Sequence, residues 1–159
     1  MKAIIIEDEL PAAKRLKTVL NEVDDSVSVL EVIESVSSAV KWFQHNSLPD
    51  IVFMDIQLSD GLSFDIFKSV DIKCPIIFTT AFDEYAIQAF KVNSIDYLLK
   101  PIETKDMERS LNKLKELKSS SDSSCDTEDI KKIIASIRQN KPAYKTRFLI
   151  KSGQTYFRT

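Results

Sequence analysis

The sequence predicts an α/β protein built on a parallel five-stranded sheet. Apolar runs at residues 2–6, 51–54, 75–80 and 95–99 are too short for helices and suit strands buried on both faces. Stretches of helical apolar spacing separate them, which is the βαβ pattern. Several runs end directly in a charged or hydroxyl side chain, at the sheet edge where open α/β sheets bind ligands.

Each element has its own signal. Lys2 to Ile6 reads as the first strand, followed at once by the acids Glu7-Asp8-Glu9. Pro11 suits a helix's first turn, and Leu16, Val19 and Leu20 give its apolar stripe to about Asn21. Val27 to Ile33 is the second strand. Ser35, Ser37 and Ser38 offer N-caps to a helix with Val40 and Phe43 inward. After Pro49 comes the third strand, Ile51 to Met54, ending at Asp55; Ser59-Asp60-Gly61 then signals a turn. A short helix over about Leu62 to Val70 follows.

Pro75 to Thr80 is the fourth strand, ending in two hydroxyls. Asp83 can cap a fourth helix containing Ala86, Ile87 and Phe90. Ile95 to Leu99 is the fifth strand and ends at Lys100-Pro101. Thr104 is expected to cap a fifth helix with the stripe Met107, Leu111, Leu114 and Leu117. Crossovers between parallel strands should be right-handed.

Beyond residue 118 the composition changes. Residues 119–126 are polar and linker-like. Ile130, Ile133, Ile134 and Ile137 then stand at helical spacing, and residues 147–159 read as a hairpin that closes no further core. Residues 1–118 hold 14 Lys and Arg against 20 Asp and Glu, a balance of −6; residues 119–159 hold 8 against 4, or +4. The expected division is a domain at 1–118, a linker with a short helix at 119–146, and the opening of a truncated, more basic second domain at 147–159.

Composition excludes several classes. No apolar run reaches the roughly 18–20 residues that span a membrane, and the N-terminus lacks a signal-peptide layout. Cys74 and Cys125 lack metal-ligand spacing and read as two free thiols of a cytoplasmic protein. His45, the one histidine, has no metal-binding partner in the sequence and reads as a surface residue late in a helix.

Four features fall at the carboxyl ends of strands one, three, four and five: Glu7-Asp8, Asp55, Thr80 and Lys100. A parallel sheet brings all four to one edge. Ile6-Glu7-Asp8-Glu9, Met54-Asp55-Ile56, Thr80-Ala81 and Asp96-Tyr97-Leu98-Leu99-Lys100-Pro101 together resemble the receiver domain of two-component response regulators, over about residues 1–118. The resemblance implies a flavodoxin-like, doubly wound (βα)5 fold with strand order 2-1-3-4-5.

It also implies roles. Asp55 would accept a phosphoryl group from a sensor histidine kinase. Asp8, Asp55 and the backbone carbonyl of Gln57 would bind Mg²⁺ or Mn²⁺, with Glu7 assisting through water. Many relatives have Asp where this chain has Glu7. Two carboxylates about 5 Å apart repel by roughly 3 kcal/mol at an effective dielectric near 20, which a hard divalent cation relieves. Lys100 and Thr80 would contact the phosphoryl oxygens, and the Lys100-Pro101 bond is expected to be cis. Tyr97 would be the switch aromatic, filling space that Thr80 vacates. The face of the fourth helix, fifth strand and fifth helix, roughly Asp83 to Leu117, would then carry the homodimer or domain contact. The lifetime of the acyl phosphate is expected to depend on Gln57 and Phe82.

Phe82-Asp83-Glu84-Tyr85-Ala86-Ile87-Gln88-Ala89-Phe90 and the Arg147-Phe148-Leu149-Ile150-Lys151-Ser152-Gly153 stretch resemble the regulators carrying a LytTR-type DNA-binding domain. That implies transcription control by the intact protein, with DNA contacts lying beyond Thr159. Competing readings are weaker. A haloacid-dehalogenase-type phosphohydrolase wants a second carboxylate two residues after its nucleophile, where this chain has Gln57. A flavin-binding protein wants a glycine-rich phosphate loop after strand one, where this chain puts acids. A pseudo-receiver that never takes phosphate remains as an interaction-module alternative.

Overall fold

The structure, a computed structural model, describes residues 1–82, 85, 92 and 94–120. Strands β1 (Lys2–Ile6), β2 (Ser28–Ile33), β3 (Ile51–Asp55), β6 (Ile76–Thr80) and β7 (Ser94–Leu99) form one parallel sheet in the order β2-β1-β3-β6-β7. A two-residue ladder, β4 (Gln57–Leu58) with β5 (Gly61–Leu62), lies apart from it. With that ladder set aside, the order is the expected 2-1-3-4-5. The helices are α1 (Leu10–Val23), α2 (Val36–His45), α3 (Ile66–Ser69) and α4 (Thr104–Ser120). Thus α4 is the fifth predicted helix. The predicted fourth helix, with Asp83, Ala86, Ile87 and Phe90, the predicted linker helix and the terminal hairpin fall outside the described residues.

The pleat divides the strands between two layers. Ala3, Ile5, Ile51, Phe53 and Ile77 face α1 and α4, where they meet Leu16, Leu20, Met107, Leu111 and Leu114. Ile4, Ile6, Val52, Met54, Ile76 and Phe78 face the other way, toward Ala39 and Phe43 of α2 and Ile66 of α3. Side chains of alternate residues point to opposite faces, so a strand covered on both sides is apolar throughout. Phe53 and Phe78 are fully buried, each stabilising the fold by roughly 2–3 kcal/mol.

Several local details differ from the sequence reading. The second strand begins at Ser28, not Val27. The stretch expected as one helix over 62–70 is a 3₁₀ turn, Ser63–Asp65, leading into α3, because Leu62 pairs with Gln57 in the small ladder. Gly61 permits that reversal with φ +145°, a region closed to most side chains. Thr104 is the first residue of α4, not its cap. The Met107 N–H reaches the Glu103 carbonyl, and the Thr104 hydroxyl donates to Glu22 instead. Leu117 is 49% exposed, so the buried stripe of α4 ends at Leu114. On α2, Ala39 joins Phe43 in the core, and Val40 is only half-buried.

Ser35 caps α2, its hydroxyl accepting the Ser38 N–H at 3.2 Å. Asp60 completes that helix end from a distant loop, accepting the N–H groups of Val36 at 2.7 Å and Ser37 at 3.0 Å. Burial opposes ionisation of Asp60, but these two donors outweigh it and hold its carboxyl below the ordinary value. Its contribution is therefore present above the unfolded carboxyl pKa, near 3.8, and is lost as pH falls through the lower folded value. Asp60→Ala is expected to cost about 1 kcal/mol in urea unfolding at pH 7, and less when the same comparison is made in strong acid.

Cys74 is a buried free thiol, and burial pushes its pKa up to about 11. It therefore stays protonated and unreactive at neutral pH. His45 ends α2 as an exposed residue with Nδ1 2.7 Å from the Lys41 carbonyl oxygen. Among the described residues no helix is long and apolar enough to cross a membrane.

Candidate functional site

The parallel sheet brings four strand ends to one edge. Glu7 and Asp8 follow β1, Asp55 ends β3, Thr80 ends β6 and Lys100 follows β7. A cavity of about 290 Å³ opens there, lined among others by Asp8, Asp55, Gln57, Thr80, Phe82 and Lys100. Glu7, Asp8 and Asp55 each offer a carboxylate oxygen within 4.8 Å of the other two. Three hard oxygen donors in that space suit a hard divalent cation.

Lys100 spans this cluster. Its Nζ lies 2.5 Å from Asp55 Oδ2, and 2.9 and 2.8 Å from the two Glu7 oxygens. The Glu7 side chain is 2% exposed. Burial pushes its carboxyl above the ordinary value; the Lys100 bond works against this, and the charge of Asp55 adds to it. Burial pulls the Lys100 ammonium down, yet its bonds to Asp55 and Glu7 outweigh that and leave it raised. Lys100 is thus a firmly held cation. No local pattern signals that Glu7 takes Lys100, since the two are 93 residues apart. The other Asp55 oxygen accepts the Gln57 N–H at 3.2 Å.

Thr80 is fully buried, its hydroxyl oxygen accepting the Phe82 N–H at 3.3 Å and its carbonyl accepting the Lys100 N–H at 2.7 Å. Tyr97 is half-buried, and its hydroxyl donates to the Phe82 carbonyl. Phe82 is therefore held by Thr80 on its N–H and by Tyr97 on its carbonyl. The Lys100-Pro101 peptide bond is cis.

Tyr85 is a residue whose place the sequence did not reveal. Its hydroxyl lies 3.4 Å from Gln57 Nε2, and its ring contacts those of Phe64 and Phe82. The one available signal was its position five residues after Thr80, at the exit of the same strand.

The charge balance at this edge has a measurable consequence. Asp8 adds to the repulsion within the cluster, while the ion pairs of Lys100 go to Glu7 and Asp55. Asp8→Asn is expected to raise the melting temperature of the metal-free protein by a few degrees, about 1 kcal/mol, in a thermal melt with chelator present. A clear fall would contradict the clustered-acid account. Asp55→Asn is a poorer probe of repulsion, because it also removes the acceptor of the 2.5 Å Lys100 bond.

Comparison with known proteins agrees with this architecture. The family model described as the response regulator receiver domain matches residues 3–112. Sensory transduction protein LytT of Bacillus anthracis is 37% identical over 123 residues, covering 76% of this chain and 49% of that protein. Transcriptional regulatory protein BtsR of Salmonella typhi is 38% identical over 126 residues, 77% of this chain and 51% of that protein. The chain spans about half the length of these relatives. The crystal structure of the response regulatory domain of protein mrkE from Klebsiella pneumoniae superposes with a TM-score of 0.64 at 32% identity, covering 74% of this chain and 97% of that one. The chain therefore belongs to the response regulator receiver domain family.

Proposed function

We propose that this chain is the phosphoacceptor part of a two-component transcription regulator, with Asp55 the residue phosphorylated by a sensor histidine kinase. The observation that carries this reading is the meeting of Asp8, Asp55, Thr80 and Lys100 around one open cavity at the sheet edge. A carboxylate oxygen of Asp55 attacks phosphorus, the new P–O bond forms, and the bond from phosphorus to the donor breaks. Lys100, already on Asp55, is placed to neutralise charge on the incoming oxygens. To do so it must loosen its hold on Glu7.

Asp8 and Asp55, with the Gln57 carbonyl and support from Glu7, would hold Mg²⁺ or Mn²⁺. When bound, the ion supplies further charge neutralisation at the phosphoryl group. The Thr80 hydroxyl turns to donate to a phosphoryl oxygen and gives up the Phe82 N–H. Tyr97 holds the same residue's carbonyl, so a change at Thr80 reaches Tyr97 through Phe82. A contact made in only one state is what shifts such an equilibrium.

The role is acceptance and slow self-hydrolysis rather than turnover of a free substrate. Residues 119–146 serve as linker and 147–159 open a LytTR-type domain, so the intact cytoplasmic protein would bind DNA as a homodimer through the Asp83–Leu117 face. The relatives named as transcriptional regulators support this output. The test is incubation with acetyl phosphate and Mg²⁺ followed by intact mass. One added phosphoryl group is expected. An unchanged mass, where a control receiver labels, would favour the pseudo-receiver alternative.

A further inference from the structure

We infer that Tyr85 is a positioning residue that fixes the side-chain amide of Gln57 at the mouth of the Asp55 cavity, and so slows hydrolysis of the acyl phosphate. The inference rests on the phosphoacceptor reading of Asp55 and names a regulator of that same site. Gln57 and Phe82 line the cavity at the foot of which Asp55 lies. They stand on different segments, Gln57 opening β4 and Phe82 following β6. Tyr85 joins those segments. The Gln57 amide N–H donates to the Tyr85 hydroxyl at 3.4 Å. The Tyr85 ring meets Phe82 edge-on, with centroids 6.4 Å apart, and meets Phe64 at the same distance. Phe64 in turn packs on Phe78 of β6, with centroids 5.4 Å apart. The hydroxyl that receives the amide is therefore anchored to the layer beneath the sheet.

An untethered glutamine samples several rotamers and uncovers the cavity for part of the time. A tethered one stays at the cavity wall that Phe82 also lines. The reaction it limits is simple. A water oxygen attacks phosphorus, the bond between phosphorus and the Asp55 carboxylate oxygen breaks, and inorganic phosphate leaves with release of a proton. Because that water must approach through the cavity, a fixed amide at the mouth lowers the rate without touching the reacting atoms.

The test is the decay of the phosphorylated form after acetyl phosphate is removed, in the presence of Mg²⁺ and followed by intact mass. Tyr85→Phe keeps the ring contacts and removes the acceptor. It is expected to speed decay about threefold, the scale of one exposed hydrogen bond. Gln57→Ala is expected to speed decay at least as much. In the Gln57→Ala background, Tyr85→Phe is expected to change nothing further, which a merely structural tyrosine would not produce. Melting temperatures of the four proteins serve as the control for folding. Decay unchanged or slowed in Tyr85→Phe, or an equal acceleration by Tyr85→Phe with and without Gln57, would overturn the inference while leaving Asp55 as acceptor. Failure of the unsubstituted chain to take any phosphoryl group would overturn both.

Discussion

Asp55→Asn is expected to abolish labelling by acetyl phosphate completely. The substitution keeps the volume of the side chain and replaces a carboxylate by an amide of negligible nucleophilicity. The neighbouring acids cannot easily substitute. Glu7 is buried and holds Lys100 with both oxygens. Asp8 lies in the cavity, but without the Lys100 bond that Asp55 has. Peptide mapping of the labelled parent should place the modification in the peptide containing Asp55. A fully labelled Asp55→Asn protein would move the acceptor to another residue and remove the basis for the proposed function. The same variant should keep its fold, since the core layers beneath Asp55 are apolar and unaffected.

The second large effect concerns Lys100. Removing one partner of a buried ion pair leaves the other charge without compensation. Lys100→Met strands Glu7, whose side chain is 2% exposed, beside Asp55. The expected loss is about 3 kcal/mol in urea unfolding with chelator present. Part of it should return when Glu7→Gln is added, because the stranded charge is then gone. Mg²⁺ should also stabilise Lys100→Met more than it stabilises the parent protein, as the ion takes over the neutralising role. A Lys100→Met protein as stable as the parent in chelator would mean that Glu7 finds another way to be satisfied. Phosphorylation of this variant should be slowed, which separates its chemical role from its structural one.

The sequence made the sheet legible because parallel strands covered on both faces are apolar without interruption, as Ile51 to Met54 is. The strand ends were legible for the same reason, since each run stops at a polar residue. Parallel pairing then brings those ends to one edge. What could not be read were contacts set by tertiary placement. Lys100 meeting Glu7, Asp60 capping α2 across 24 residues and Gln57 meeting Tyr85 across 28 have no local signature. Thr104 shows the other kind of difference. Threonine suits a cap, but Glu103 holds that position and the Thr104 hydroxyl turns to Glu22. Local propensity is a weak preference that neighbouring elements override.

β1 places Ala3 and Ile5 in one apolar layer and Ile4 and Ile6 in the other, and β3 divides its residues likewise. Neither layer has a strand of the five-stranded sheet to itself. Peeling away the helices on one side would bare half of every shared strand and loosen the packing that keeps the opposite half in place. The two sides should therefore melt in a single concerted transition, with the backbone amides of β1 and β3 exchanging with deuterium only when the whole sheet comes apart.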